Sequence, residues 1–398
     1  MSINSWKVAP AGPASDFLAE LPLVDHHVHG VIRENPSLEA FTHMMTESDR
    51  TPRSLHDAMN TQVGFATRRW VAPLIDLEPA VGADKYFERR LALGADEVNR
   101  RLLQASGIGH YFIETGLKGA DIHGPEGMAQ LSGAKVDEIV RIETVAERVA
   151  QSGVSAESFA TNFFSTLLTE SESAIGLKSI VAYRIGLDFE ATPPSAHEVE
   201  IAAGKWFEEI AQTGKSRVSD PVLLRHLIFS AAQLNKPMQF HIGFGDPDLN
   251  LHRCDPLLMT DLIRDFESRK IPVMLLHTYP YQRNAGYLAQ MFRNVYLDVG
   301  LAINYTGARS GAVIAESLEL APFHKILFSS DAWGLPELTY LGAMLFRRGL
   351  GELLDSFIAR GDWSEKDALS VAQQIGRDNA LNAYGLNQSG LNQYGLNQ

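Results

Sequence analysis

Leu23-Val24-Asp25-His26-His27-Val28-His29 is the stretch on which the reading of the fold turns. Leu23 and Val24 begin an apolar run of the kind that forms a buried strand. Side chains of a strand alternate between its faces, so His27 and His29 share one side while His26 and Val28 point away. Two imidazoles side by side at a strand end form half of a zinc-type site. A single His-x-His more often means one buried, hydrogen-bonded histidine and one exposed histidine. The rest of the chain has to supply the missing ligands.

From about Gly109 onward, short apolar runs alternate with helical patterns, which is the signature of βαβ units. The runs predict strands at residues 110–115, 136–142, 177–184, 238–241, 272–277, 294–299 and 325–331. With the opening stretch these make eight, and the expected fold is an α/β (β/α)8 TIM barrel. Helical patterns cover residues 156–169 and 197–212. A further helix should start at Ser219-Asp220-Pro221, and a closing helix at 364–384 begins with a Ser-x-x-Asp cap. Residues 31–106 show no strand pattern but contain helix-friendly runs such as 84–93, which predicts a helical insertion after the first strand. Insertions at that end of a barrel strand commonly cover the site. Residues 1–384 should form one domain. The tail repeats Gly-Leu-Asn-Gln at 385–388, 390–393 and 395–398, a composition that predicts disorder.

Composition narrows the class of function. Of 398 residues 45% are hydrophobic and 21% charged, as in ordinary globular proteins. The net charge of −13 argues against nucleic acid or an anionic membrane as partner, since both want a basic face. No apolar run approaches bilayer-spanning length. The single cysteine, Cys254, excludes an internal disulfide and a Cys-rich metal site, and reads as structural. Met1-Ser2-Ile3-Asn4-Ser5-Trp6-Lys7 lacks the layout of a signal peptide, so a cytoplasmic protein acting on a small molecule is expected.

Four predicted strands end in a potential ligand: His27 and His29 on the first, His241 on the fifth, His277 on the sixth and Asp331 on the eighth. His241 and His277 are 36 residues apart, about one βα unit, and His277 and Asp331 are 54 apart, room for two. Strand C-termini of a closed barrel converge on one mouth, so residues distant in sequence meet there. Lys178 lies in the apolar fourth strand, where a bare ammonium is costly. It is either paired with a carboxylate or carries carbon dioxide as a carbamate able to bridge two cations. Imidazole and carboxylate donors point to zinc first, then manganese or iron.

These motifs resemble the amidohydrolase superfamily of metal-dependent (β/α)8 hydrolases. The stretches Gly176-Leu177-Lys178-Ser179-Ile180-Val181-Ala182-Tyr183-Arg184, Gln239-Phe240-His241-Ile242-Gly243-Phe244-Gly245-Asp246 and Leu276-His277-Thr278-Tyr279-Pro280-Tyr281 are similar to its amidohydrolase 2 branch. That branch includes the domain fused to glutamine-synthetase-like domains in fungal FluG-type proteins. The resemblance covers roughly residues 20–385. It implies that His27, His29 and Asp331 hold the more buried metal, that His241 and His277 hold a second, and that Lys178 is the bridging carbamate. It also implies a separate glutamine-synthetase-like enzyme as functional partner and admits a homo-oligomer.

The expected reaction is cleavage of an amide C–N bond, with Asp331 as ligand and general base. The expected substrate is a γ-glutamyl amide or a small N-acyl amino acid. Tyr183, Arg184, Tyr279, Tyr281, Trp333 and Glu337 follow strand ends and are candidates for substrate contact. Arg184 either binds a substrate carboxylate through two parallel hydrogen bonds or forms a rim ion pair. Asp246 and Asp248 either line the mouth or cap a helix. The alternative reading is a single-metal decarboxylase acting on an aromatic or enoic acid, which the lysine disfavours. A non-catalytic scaffold is disfavoured by the intact ligand set.

Overall fold

Apolar strands followed by amphipathic helices can only bury both faces of a parallel sheet by winding helices around it. The computed structural model describes residues 11–117 and 121–387 and shows this arrangement. Strands β1 (Leu23–Val28), β2 (Ile108–Glu114), β3 (Lys135–Arg141), β4 (Gly176–Ser179), β5 (Met238–His241), β6 (Val273–Leu276) and β7 (Val295–Leu297) pair in parallel in that order. Their inner residues Val24, Phe112, Ile139, Met274 and Leu276 form one buried cluster with Leu327 and Tyr384, separate from the larger core under the helices. The fold is TIM-barrel-like.

The expected eighth strand at 325–331 does not form as a regular strand. Residues 326–332 instead run irregularly between β7 and β1. Leu327 N donates to Leu297 O (2.9 Å), His26 N to Phe328 O (3.1 Å), Asp331 N to His27 O (3.1 Å) and His29 N to Ala332 O (2.9 Å). Ladder pairing fails because the Asp25 carboxylate takes Ser330 N (3.0 Å) and the Ser330 hydroxyl (2.5 Å), and because Asp331 has a φ of 46°.

The fourth strand is also shorter than expected, and residues Ala182–Ile185 form a helical turn. Glu143 Oε1 accepts from Ser179 Oγ (2.7 Å) and Ile180 N (3.0 Å), pulling the backbone out of the ladder. That turn carries Tyr183 and Arg184 to the same end of the sheet as Lys178.

Between β1 and β2 lie the helices Leu38–Met44, Leu55–Met59, Gln62–Ala66, Ala83–Leu93 and Ala95–Ala105. The Asp220 side chain caps Pro221–Ala232, and Ser364 caps Glu365–Gln373, as their sequences predict. The chain after 331 forms the long helix Pro336–Arg360, which is buried along most of its first four turns and so shows no amphipathic pattern. No helix among the described residues is long and apolar enough to cross a membrane. The N-terminal stretch 1–7 and the tail repeats beyond Asn387 lie outside the described residues.

Candidate metal centre

β1 does not keep its simple alternation. Asp25 pairs with Tyr111 and Val28 with Ile113, so β1 advances three residues while β2 advances two. This bulge places an extra residue on β1, and bulges of this kind re-aim side chains at barrel rims. Alternation predicts that His26 points away from His27. His26 is instead buried with the inner cluster, Nε2 against Asp298 Oδ2 (2.9 Å) and Nδ1 near the Tyr384 hydroxyl (3.2 Å). His26 thus sits beneath the site without joining it.

At the end of the sheet the predicted ligands come together. One donor atom from each of His27, His29 and Asp331 lies within 4.8 Å of the others. His27 Nε2 is 3.1 Å from Asp331 Oδ1 and 2.8 Å from Lys178 Nζ, and His29 Nε2 is 3.7 Å from Asp331 Oδ1. His277 Nε2 lies 3.5 Å from Asp331 Oδ2, and the His241 and His277 rings are 4.2 Å apart.

The hydrogen bonds prepare these nitrogens for a cation. His29 Nδ1 donates to Glu114 O (3.2 Å) and His277 Nδ1 to Ile242 O (2.8 Å), which leaves the Nε2 lone pairs of both rings unprotonated. The Nε2 atoms of His241 and His277 are buried with no hydrogen-bond partner. Buried, unpartnered imidazole nitrogens facing a carboxylate are what a divalent ion requires, so the residues fit a metal.

Charge states agree with that fit. Burial pushes the His27 imidazole down to about 3 and lowers His29, His241 and His277, which favours the neutral form that can coordinate. Burial alone would raise the Asp331 carboxyl, but His277, His27 and Lys178 outweigh it and hold it well below the usual carboxylate range. Burial likewise pushes the Lys178 amine down to about 8.

Backbone geometry marks the same residues. His277 and Asp331 both have positive φ, 40° and 46°, although neither is glycine. Such conformations cost about 1–3 kcal/mol each and persist where the surroundings over-determine them. Asp298, at the end of β7, supplies much of that constraint. Its Oδ1 accepts from His277 N (2.9 Å), Gly300 N (2.7 Å) and Ser329 Oγ (2.7 Å), while Oδ2 holds His26.

Above the cluster opens a cavity of about 330 Å³ lined by Lys178, His241, Asp331, Tyr183, Arg184 and Trp333 from the predicted set. Asp246 and Asp248 also line it, so their role as mere helix caps is excluded. Three other predicted contacts lie elsewhere. Tyr279 is not among the lining residues and packs against the core, with its carbonyl accepting from Phe244 N (2.8 Å). The Tyr281 hydroxyl donates to Leu251 O (2.9 Å). Glu337 is fully buried against Arg90 Nε (2.7 Å) and Tyr86 Oη (3.1 Å), away from any ligand. Cys254 is buried and its thiol donates to Asn250 O (3.4 Å), a structural role.

Several lining residues escaped the sequence reading. His43 and Glu47 reach the cavity from the segment after β1, and Tyr305 donates to Glu47 Oε1 (2.9 Å). Arg141, at the end of β3, lines it while paired with Glu114, and Arg217 lines it from the loop before Pro221. Arg141 was detectable as a charged residue ending a predicted strand. His43 and Glu47 carry no such signal, because they lie on irregular and short helical segments.

Gly245 allows a close contact beside the ligands. A Cβ there would lie 2.2 Å from the Tyr183 hydroxyl and 3.0 Å from His241 Nε2. Gly245→Ala is therefore expected to displace Tyr183 and tilt His241, costing about 1–3 kcal/mol of stability and lowering bound metal. Thermal melting and metal analysis of the variant check this, and an alanine variant that matches wild type in both would refute it.

Comparisons with known proteins agree with the fold and the donor set. A family model described as amidohydrolase matches residues 161–386, more than half of the sequence, and the chain belongs to the amidohydrolase family, in its amidohydrolase 2 branch. Protein fluG of Emericella nidulans is 33% identical over 247 residues, 58% of this chain and 28% of that protein, so the match spans little more than a quarter of the relative. A Lactobacillus casei protein, provisionally described as a metal-dependent hydrolase, superposes with a TM-score of 0.82 at 27% identity, over 94% of this chain and 98% of its own. A uronate isomerase of Bacillus halodurans superposes with a TM-score of 0.62 at 13% identity, over 94% and 96% of the two chains, and shares the fold alone. The chain is thus an enzyme of a metal-dependent hydrolase family with a candidate His-His-Asp metal site.

Proposed function

We propose that the protein hydrolyses an amide C–N bond in a small, carboxylate-bearing substrate, either a γ-glutamyl amide or an N-acyl amino acid. The observation that carries this reading is the joint placement of the ligand cluster and Arg184 on one cavity. The Arg184 guanidinium is bonded to Glu147 through Nη2 (3.1 Å) but has Nε and Nη1 buried without partners. Buried donors of a cation without acceptors are costly unless a ligand supplies them.

In this reading His27, His29 and Asp331 would hold one divalent ion, zinc being first choice, His241 and His277 would hold another, and Lys178, carrying a carbamate, would complete the ligand set. Such ions would supply Lewis acidity for the scissile carbonyl and would bring the pKa of a water towards neutrality. The Asp331 carboxylate accepts the proton of the attacking water and delivers it to the departing nitrogen. Arg184 orients the substrate through its carboxylate, while Tyr183 and Trp333 wall the cavity and exclude water. A separate glutamine-synthetase-like enzyme would be its metabolic neighbour. Self-association is compatible with this reading.

Metal-loaded protein incubated with a panel of γ-glutamyl amides and N-acyl amino acids is expected to release amine and free acid. An intact panel, or release of carbon dioxide from an aromatic or enoic acid, would overturn the proposal. Lys178→Met is expected to lose one of the two ions and to lack the carbamate mass, read by metal analysis and native mass spectrometry. Unchanged metal content in that variant would remove the lysine from the ligand set.

A further inference from the structure

Arg184 shares the cavity with side chains of the opposite sign. Asp246 lines the same space, and its Oδ1 accepts from Asp248 N (2.9 Å). Arg217 pairs with Asp248 (3.1 Å), and no cationic side chain among the described residues forms an ion pair with Asp246. Burial, with Asp248 and Asp49 near by, raises the Asp246 carboxyl above its ordinary value, and the more distant Arg217 offsets only part of that rise.

The two chain segments that carry these charges are held against each other. Tyr183 precedes Arg184 and Gly245 precedes Asp246. The Tyr183 hydroxyl sits where a side chain on Gly245 would be, 2.2 Å from an ideal Cβ. The Tyr183 ring also lies 4.2 Å from that of His241. Glu147 fixes the other side, because Oε1 accepts both from Arg184 Nη2 and from Val218 N (3.0 Å), next to Arg217. A cationic and an anionic side chain, Arg184 and Asp246, thus line one cavity together with Lys178, His241 and Asp331.

We infer that Arg184 and Asp246 form a receptor for the zwitterionic end of an α-amino acid, the carboxylate on Arg184 and the free ammonium on Asp246. The inference rests on the amide-hydrolase reading and selects between its two substrate types. A γ-glutamyl amide keeps the α-ammonium that Asp246 would bind. An N-acyl amino acid has turned that nitrogen into a neutral amide and leaves Asp246 unpaired.

The test compares L-γ-glutamyl-p-nitroanilide with glutaryl-p-nitroanilide, which differ only in the α-amino group, and adds N-acetyl-L-glutamate. Wild type, Asp246→Asn and Arg184→Gln are each assayed with metal, and the metal-free proteins are melted with L-glutamate or glutarate. Wild type is expected to show a KM for the γ-glutamyl compound roughly 10- to 100-fold below that for the glutaryl one. Asp246→Asn should raise the first KM to the level of the second and leave the second unchanged, whereas Arg184→Gln should raise both. L-Glutamate should protect wild type against melting more than glutarate does, and Asp246→Asn should erase the difference.

Equal KM values in wild type, or an equal effect of Asp246→Asn on both anilides, overturns the receptor while the hydrolase stands. Preferential protection by L-glutamate without cleavage of any amide supports the receptor and overturns the hydrolase. No cleavage and no protection overturns both.

Discussion

Asp331→Asn is expected to abolish most amide hydrolysis, by about 10²–10⁴-fold for the proton-transfer role alone, and to weaken metal retention as well. The carboxylate stands 3.1 Å from His27, 3.7 Å from His29 and 3.5 Å from His277, so it is the anionic member of an otherwise neutral imidazole set. Asparagine keeps the shape and removes the charge and the proton acceptor. It also suits this backbone, since asparagine tolerates the positive φ of 46° better than almost any other non-glycine residue. The Asp331 N–H bond to His27 O is untouched by the exchange. A fall in activity with an unchanged melting curve would therefore report chemistry rather than misfolding. Near-normal hydrolysis by the variant would remove Asp331 from the catalytic role.

The largest expected effect on stability lies outside the cavity. Arg90 Nε and Glu337 Oε1 form a 2.7 Å ion pair in which both side chains are fully buried, and the Tyr86 hydroxyl donates to the same carboxylate. Removing one member leaves an uncompensated buried charge, so Glu337→Gln or Arg90→Met should destabilise the fold by about 3–5 kcal/mol. Replacing both together by apolar residues of similar volume should recover much of that loss, because neither charge then remains unpaired. Arg90 also lies over the Phe41 ring at 5.5 Å, and Glu337 opens the helix that follows Asp331. The pair thus joins the helices after β1 to the segment that follows Asp331. Denaturant unfolding of the single and double variants measures the effect. Single variants as stable as wild type would show that the pair contributes nothing.

The candidate ligands were legible in the sequence because a parallel barrel makes one reliable promise: strand C-termini meet. His27, His29, His241, His277 and Asp331 each end an apolar run, and the structure gathers all five together with Lys178. Residues beyond strand ends were less predictable. Arg184 and Trp333 reach the cavity, but Tyr279 and Glu337 turn into the protein, since the direction of a loop side chain depends on what packs behind it. Two of the strand limits that differ from expectation do so for one reason. At Ile180 and at Ser330 a buried carboxylate, Glu143 or Asp25, takes the backbone N–H that a ladder would have used.

The sequence by itself determined the class of fold, the donor set and its end of the sheet, all of which follow from local periodicity and the geometry of parallel strands. It also excluded a disulfide framework and disfavoured a basic ligand surface. Tertiary structure alone decided the bulge that sets His26 beneath the site, the Asp298 hub that strains His277, and the entry of His43, Glu47 and Arg217 into the cavity. Each of these depends on contacts between residues far apart in the chain. Which of two distant groups fills a buried hydrogen bond is settled by packing, and no local pattern encodes it.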